Sequence, residues 1–376
     1  MRNLYRKSRE YIPLFSFIIF VISIISLILY IIVLNSVEFA DFFNYYLTTP
    51  IRLALAGISS IVPFSISETL LFASPIWVTL LFARGIKNAK ISNKATIRFL
   101  MKVLSILLFV FITFVWTYSS GFHNSTIDKK LGLETEKLSK DDLYNASIVI
   151  TKNLNDLSNE ILYDNTGASV MPYNYYQLSD KIYDAYELYE EEYGAIINFR
   201  SIIKPIILSE PMTYTHISGI YTFFTGESNV NVNYPDFIVA SSSAHEMAHQ
   251  RGVARENEAN FTSFVVLSSS EDGFLRYSAY LNIYSDITSA LYSADKELYY
   301  EVYSLLDNKV KDDLKSYSSF FDKYRDSIAS DVTENINDSY LQANGQKDGV
   351  KSYGMIVDLT CAYLKSKKWT KISITE

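Results

Sequence analysis

Cysteine is almost absent from this chain of 376 residues, which holds only Cys361. A single cysteine excludes an intrachain disulfide framework and a zinc site built on cysteine pairs. We expect Cys361 to be a small buried residue in an apolar helix. Glycine and proline are also scarce, at 13 and 8 residues, which excludes collagen-like and low-complexity chains.

Basic residues are in the minority, with 34 Lys and Arg against 41 Asp and Glu. They are also unevenly placed, because residues 1–102 carry a net charge of +7 and the remainder carries −14. An acidic bulk does not attract a phosphate backbone, so we expect no nucleic-acid partner.

The basic N-terminal part contains three apolar runs, at residues 12–34, 66–84 and 99–118. Each is long enough to cross about 30 Å of hydrocarbon. A cleaved signal peptide is the alternative for the first run, but that run is too long and two more follow it. We therefore predict a membrane domain over residues 1–118, with the lipid bilayer as its partner.

The orientation of the spans follows from their flanking charges. Four basic residues precede the first run, and six lie between residues 84 and 102 without an acidic residue among them. The positive-inside rule places both segments in the cytoplasm, so residues 119–376 form an extracytoplasmic domain. Residues 53–65 are apolar but too short to span, which predicts an interfacial or re-entrant piece.

The outer domain has a mostly helical pattern with one small sheet. Ser139 and Asp142 form a capping-box pattern before one helix, and a second helix with an acidic, solvated face begins near Ser179. Alternation over residues 213–224, a turn and a second run at 229–233 predict a pair of strands.

One short segment carries recognisable chemistry. His245-Glu246-Met247-Ala248-His249 is an HExxH pattern, in which two histidines four residues apart share a helix face and can bind one zinc ion. Glu246 lies one helical step away, where its carboxylate can act as general base and then general acid. We therefore predict one zinc ion per chain and Glu246 as a catalytic residue.

A catalytic zinc ion needs a third protein ligand, and the candidates are Glu256 and Glu258. Gly252 can end the first helix, so that a second helix starts near Ala254. On that helix Glu256 and Asn260 share a face, whereas Glu258 lies about 200° from Glu256. We favour Glu256 as the ligand and Asn260 as a residue that hydrogen-bonds a ligand, with Glu258 as the open alternative.

This segment resembles the gluzincin metallopeptidases, whose third zinc ligand is the first Glu of an E-x-x-A-D or E-x-x-x-D helix. The resemblance implies that Glu256 is that ligand and that Asn260 stands in place of their aspartate. The chain departs from the pattern in that asparagine and in the short separation of His249 from Glu256. Metzincins, which have closer spacing, would need a histidine at the position of Arg255.

A wider resemblance covers nearly the whole chain. The three spans, GIYTFFTGESNVN, HEMAHQRGVARENEANF and KSYGMIVDL resemble an uncharacterised bacterial family of membrane-anchored zincins. The resemblance implies a mostly α fold, in which three transmembrane helices precede a zincin-like α+β domain. It also implies a zinc-dependent endopeptidase that hydrolyses envelope or secreted proteins and peptides.

A hydrolytic site also needs a donor for the oxyanion. Among His216, Tyr221 and Tyr353 we favour Tyr353, because it lies in the SYG segment shared with that family. In zincins an edge strand before the active helix aligns extended substrate, which predicts that Asn229 and Asn231 contact substrate. A polar hairpin tip explains the same segment equally well.

Two other functions compete with a peptidase. An intramembrane zinc protease would need its HExxH inside an apolar span, but polar residues such as Ser241, Ser242 and Arg251 surround this one. A catalytically silent zinc-binding sensor or scaffold of the envelope would have no use for Glu246. We therefore expect a membrane-anchored metallopeptidase, with the silent sensor as the alternative.

Overall fold

The structure is a computed structural model that describes residues 11–344 and 354–367. Its N-terminal part is entirely helical and includes a short π-helix at Phe43–Thr48. Three helices of the described chain are long and apolar enough to cross a membrane, in agreement with the three predicted spans. The helices are α1 (Leu14–Asn35), α2 (Val37–Phe42), α3 (Thr49–Ser60), α4 (Ile66–Ile91) and α5 (Asn93–Thr117).

A 3-10 turn at Ser119–Phe122 leads from α5 into the part of the chain predicted above as the outer domain, a name we keep for it, and this part is mostly helical. The predicted capping box of Ser139 and Asp142 is present at the start of its second helix. The next helix begins earlier than Ser179, because Asn174 caps it. The helices are α6 (Ile127–Leu131), α7 (Lys140–Ser158), α8 (Tyr175–Tyr193), α9 (Ser209–Thr213), α10 (Asp236–Gln250), α11 (Glu256–Ser268), α12 (Gly273–Ala294), α13 (Lys296–Leu305), α14 (Asn308–Asp322), α15 (Ile328–Ala343) and α16 (Gly354–Ser366).

The core of the outer domain lies between α7, α10, α11 and α12, and α16 covers α11. Helix α10 is buried along nearly its whole length, because its side chains are small or apolar from Phe237 to Ala244. Cys361 is 1% exposed in α16, which confirms the expectation of a buried thiol. A helix held on all sides gives its side chains fixed positions, and α10 is the helix that carries the HExxH pattern.

Two small sheets complete the fold: a hairpin of β1 (Leu162–Tyr163) with β2 (Ser169–Val170), and a three-stranded sheet of β3 (Lys204–Pro205), β4 (Gly219–Thr222) and β5 (Glu227–Val230). In the second sheet β5 is the central strand, parallel to β3 and antiparallel to β4. The predicted strand pair is therefore present, although its first strand is shorter than residues 213–224, because α9 ends at Thr213 and a turn in which His216 adopts φ +59° follows it.

Arg52 on α3 joins the membrane-side helices to the outer domain. Its guanidinium is fully buried. It donates hydrogen bonds to Asn44 Oδ1 at 3.0 Å, to the Thr117 carbonyl at the end of α5 at 3.1 Å and to the Arg251 carbonyl after α10 at 3.4 Å. Burial lowers the pKa of Arg52 to about 10, which leaves it charged at neutral pH. The partial negative charge of helix C-termini suits this cation.

The predicted interfacial piece at residues 53–65 is thus largely helix α3, one side of which packs on the outer domain. A Cβ at Gly226, in the turn before β5, would lie 2.6 Å from Leu55 Cβ. The other side of the piece exposes Ile58 and Ile61.

We expect Arg52→Leu to lower the free energy of unfolding by roughly 3–5 kcal/mol, because it leaves several buried acceptors without a donor. The matched control is Arg200→Leu. Arg200 is 65% exposed and pairs with Asp180 at 2.8 Å, so its loss should cost at most about 1 kcal/mol. Thermal unfolding in detergent measures both, and equal shifts in Tm would contradict the role of Arg52.

Candidate metal centre

Helix α10 presents His245 and His249 on one face. Their rings lie 4.5 Å apart between centroids and are perpendicular to one another. The helix ends at Gln250, and Gly252 then adopts φ +97°, a left-handed conformation that favours glycine. This turn reverses the chain, as the sequence predicts, so that α11 begins at Glu256 beside the two imidazoles.

Glu256 completes a compact group with the two histidines. Its Oε2 lies 3.2 Å from His245 Nε2, and its Oε1 lies 3.5 Å from His249 Nε2. One ligand atom from each of the three residues falls within 4.8 Å of the others. The group could therefore hold a metal ion, and we call these three residues the metal group.

Glu258 points away from this group. Its Oε1 accepts hydrogen bonds from Arg255 at 2.8 Å and from the Ile127 amide at 3.2 Å, and its side chain is 6% exposed. The structure thus brings Glu256, and not Glu258, to the histidines, because two residues along a helix correspond to nearly opposite faces.

Asn260 lies one turn beyond Glu256 and is half-buried. Within the described residues it hydrogen-bonds none of the three side chains of the group. The contact expected of Asn260 is made instead by main chain: His249 Nδ1 lies 2.7 Å from the Val253 carbonyl. In the neutral imidazole, donation to that carbonyl keeps the proton on Nδ1 and leaves the Nε2 lone pair available to a metal ion.

Tyr118, the first residue after α5, is a further neighbour that the sequence did not reveal. Its hydroxyl lies 3.1 Å from His249 Nδ1 and 3.5 Å from the Ala254 carbonyl. The contact spans 131 residues of sequence, and one tyrosine among 30 carries no local signal of it.

The charges of the group stabilise one another. Burial lowers the pKa of His249, but the charge and hydrogen bond of Glu256 outweigh burial and raise it to about 9. Burial raises the pKa of Glu256, but His249 and His245 together hold it well below its ordinary value. The carboxylate is therefore ionised, as a metal ligand must be.

The donor set fits zinc. Two imidazole nitrogens and one carboxylate oxygen form a set that catalytic zinc sites use. His245 Nδ1 is also buried without a hydrogen-bond partner in the described part of the chain, which leaves the tautomer of His245 free to suit a metal.

Glu246 is buried between the metal group and the sheet. Its carboxylate accepts a hydrogen bond from the Tyr221 amide of β4, and burial raises its pKa while the two histidines oppose that rise. It lies so close to β4 that a Cβ at Gly219 would be 2.6 Å from Oε1. Any larger residue at position 219 would force this side chain to move.

Asn229 and Asn231 are not placed as substrate contacts, which corrects that prediction. They are 1% and 0% exposed. The side-chain Nδ2 of Asn229 donates to the Ile220 carbonyl at 3.1 Å, and that of Asn231 donates to the Ile217 carbonyl at 3.0 Å. Both side chains brace β4 and the loop before it. The strand beside Glu246 with an open edge is β4, because β5 is paired on both sides.

The three predicted oxyanion donors have different surroundings. His216 Nε2 lies 2.8 Å from the Tyr324 carbonyl, which fixes the loop before β4 to the end of α14. Tyr221 packs its ring 5.5 Å from that of Tyr118, and its buried hydroxyl has no partner in the described chain. Tyr353 lies outside the described residues.

Tyr340 on α15 is another neighbour of the metal group that the sequence did not reveal. Burial and the charge of Glu256 raise the pKa of Tyr340. Its ring also lies 6.1 Å from that of Phe122.

Comparison with known proteins identifies one family. The sequence model described as a protein of unknown function (DUF3810) matches residues 43–361, a range that contains α3 to α5 and the whole metal group. No curated protein and no solved structure matches the chain.

Proposed function

Because the chain belongs to the DUF3810 family, whose function is unknown, we propose its function from its own site: a membrane-anchored, zinc-dependent endopeptidase. The observation that carries the proposal is the convergence of His245, His249 and Glu256 within 4.8 Å, with the carboxylate of Glu246 buried beside them. Its substrates are peptide bonds of proteins or peptides in the cell envelope or secreted from the cell.

His245, His249 and Glu256 would hold one zinc ion. When bound, zinc polarises the scissile carbonyl and lowers the pKa of water towards neutrality. The Val253 carbonyl keeps the His249 proton on Nδ1, and Tyr118 packs against the same ring. These contacts hold the ligand in one orientation, as such sites require.

Glu246 moves the protons. Its carboxylate takes a proton from the attacking water, whose oxygen adds to the carbonyl carbon, and then gives that proton to the amine as the C–N bond breaks. The Tyr221 amide fixes its orientation, and burial raises its pKa towards the value of a group that can hold a proton.

Strand β4 supplies the substrate platform in this proposal. The Tyr221 amide points to Glu246 and away from β5, so the main-chain groups of Gly219 and Tyr221 lie on the open edge of the sheet. An extended peptide can pair with such an edge by main-chain hydrogen bonds. We propose that α10, α11 and β4 together form a zincin-like site.

The flanking charges of the spans support a position of this site outside the cytoplasm. Lys and Arg cluster at the ends of α4 and α5 that lie far from the outer domain, among them Arg84, Lys90 and Arg98. The positive-inside rule assigns those ends to the cytoplasm and the metal group to the opposite side of the membrane.

Metal removal tests the proposal. We expect the purified full chain to generate new N-termini in a peptide library, to lose that activity on chelation and to regain it with added zinc. Mass spectrometry of the new termini measures the activity and gives the sequence preference. Cleavage that continues undiminished after chelation would contradict a zinc mechanism.

A further inference from the structure

The outer ends of the spans mark where the bilayer surface meets the outer domain. A hydrocarbon layer of about 30 Å takes about 20 helical residues. About 20 residues counted forward along α4 from Ile66 end beside Arg84. The same number counted backward along α5 from Thr117 ends beside Arg98. Ile66 and Thr117 therefore lie at the outer boundary of the hydrocarbon.

Contacts of the outer domain begin at that boundary. Glu227 at the start of β5 accepts hydrogen bonds from the Ile66 and Ser67 amides at 2.8 and 2.9 Å. At the end of α5, one tyrosine side chain, that of Tyr118, separates Thr117 from His249. The metal group thus lies close to the membrane surface.

Exposed apolar side chains continue from the spans onto the outer domain. Glu68, inside α4, accepts hydrogen bonds from the Ile207 and Leu208 amides at 3.0 and 2.8 Å, which holds this loop level with the first turn of the span. Ile207 is nevertheless 76% exposed, as is Ile61 at 81% just before the span. Apolar exposure at this depth indicates contact with lipid.

Strand β4 lies against Glu246, and contacts near both of its ends lead to residues near the two ends of α15. At one end His216, before β4, bonds to Tyr324, before α15. At the other end Phe223, after β4, stacks on Tyr118, while Tyr340 near the end of α15 packs on Phe122.

Apolar side chains are exposed on both β4 and α15. Ile220 on β4 is 44% exposed, and α15 exposes a row of apolar residues four apart, Ile328, Val332 and Ile336. The far end of β4 lies at the end of span α5, where the Thr117 hydroxyl donates to the Phe223 carbonyl at 3.2 Å. A peptide that follows β4 in that direction therefore reaches the membrane.

From this arrangement we infer that the substrates are polypeptides anchored in the same bilayer and cut a few residues from its surface. The inference rests on the proposed peptidase function and adds the substrate class. From Gly219, which contacts Glu246, to Phe223 at the membrane end, an extended chain covers about 13 Å. The cleaved bond then lies about four residues from the point where the substrate meets the bilayer.

Spacer length tests this substrate class. The full chain, loaded with zinc, is reconstituted in vesicles of phosphatidylcholine and phosphatidylglycerol together with a randomised ten-residue segment fused to a membrane-spanning helix. Spacers of 3, 10 and 30 residues separate the segment from the helix, and both chain orientations are made. The substrate with the 30-residue spacer is the matched control. It has the same anchor and the same surface concentration, but its randomised segment is not held close to the bilayer.

We expect the 3-residue spacer to be cut at least tenfold faster than the 30-residue spacer or the free segment, with Glu246→Gln as the blank. Equal rates for the 3- and 30-residue spacers would overturn the inference and leave the peptidase function standing. Absence of cleavage in every substrate, with zinc bound, would overturn both.

Discussion

Glu246→Gln should leave a chain that folds and binds one zinc ion but has lost nearly all of its hydrolytic activity. We expect kcat/KM to fall by about 10²–10⁴, the range that a positioned general base contributes. The amide of glutamine has the shape of the carboxylate and can still accept the Tyr221 hydrogen bond. It cannot take a proton from water, so only the chemical step is removed.

Metal content separates loss of the base from loss of the metal. Purified wild type and Glu246→Gln should contain the same zinc per chain by elemental analysis. The control variant is Glu301→Gln, since Glu301 is exposed and accepts a hydrogen bond from Tyr144 on the surface, and its rate should match wild type. A Glu246→Gln protein that keeps its zinc and more than a tenth of its activity would exclude Glu246 as the base.

The meeting of His245, His249 and Glu256 was predictable because it depends on residues that are close in sequence. HExxH and Glu256 lie within a dozen residues, and the helical period together with one glycine turn decides which side chains meet. The same period separates Glu256 from Glu258. The three spans are local in the same sense, because a continuous apolar run needs no partner to be recognised.

The prediction that Asn229 and Asn231 contact substrate was wrong, and the reason lies in residues that are distant in sequence. Asn229 and Asn231 would lie on an edge strand if the sheet had only β4 and β5. The two-residue strand β3 pairs with β5 from the other side, at Lys204 and Pro205, and so β5 becomes the centre of the sheet. A pairing this short, across more than twenty residues, leaves no pattern in the sequence.

The residues that link the spans to the metal group are also far from it in sequence. Arg52, Glu68 and Tyr118 all belong to the N-terminal part of the chain, yet they bond to residues of α10 and of the loops beside α10 and the sheet. Sequence reasoning divides the chain at residue 118 because the hydropathy changes there. The contacts show that the spans are also part of the frame that holds the metal group.

Glu256→Gln should lose the metal, whereas Glu258→Gln should keep it. The two residues lie on the same helix, both are mostly buried, and the substitution is chemically identical. Loss of a residue that only supports a ligand typically costs 10–100-fold in metal affinity, so we expect loss of the ligand Glu256 to cost more than about 100-fold. Glu258→Gln keeps an acceptor oxygen but removes the negative charge that pairs with Arg255, and should lower Tm instead.

Competition with a chromophoric chelator measures zinc affinity for both variants, and thermal unfolding measures their stability. We expect each variant to change a different measurement. Zinc affinity falls in Glu256→Gln, and the Tm of the metal-free protein falls in Glu258→Gln. The reverse pattern would show that α11 presents Glu258 to the histidines. Removal of Glu256 should even stabilise His249 as a neutral imidazole, because the charge that raises its pKa to about 9 is gone. Weaker zinc binding in Glu256→Gln would then reflect the lost carboxylate and not a protonated histidine.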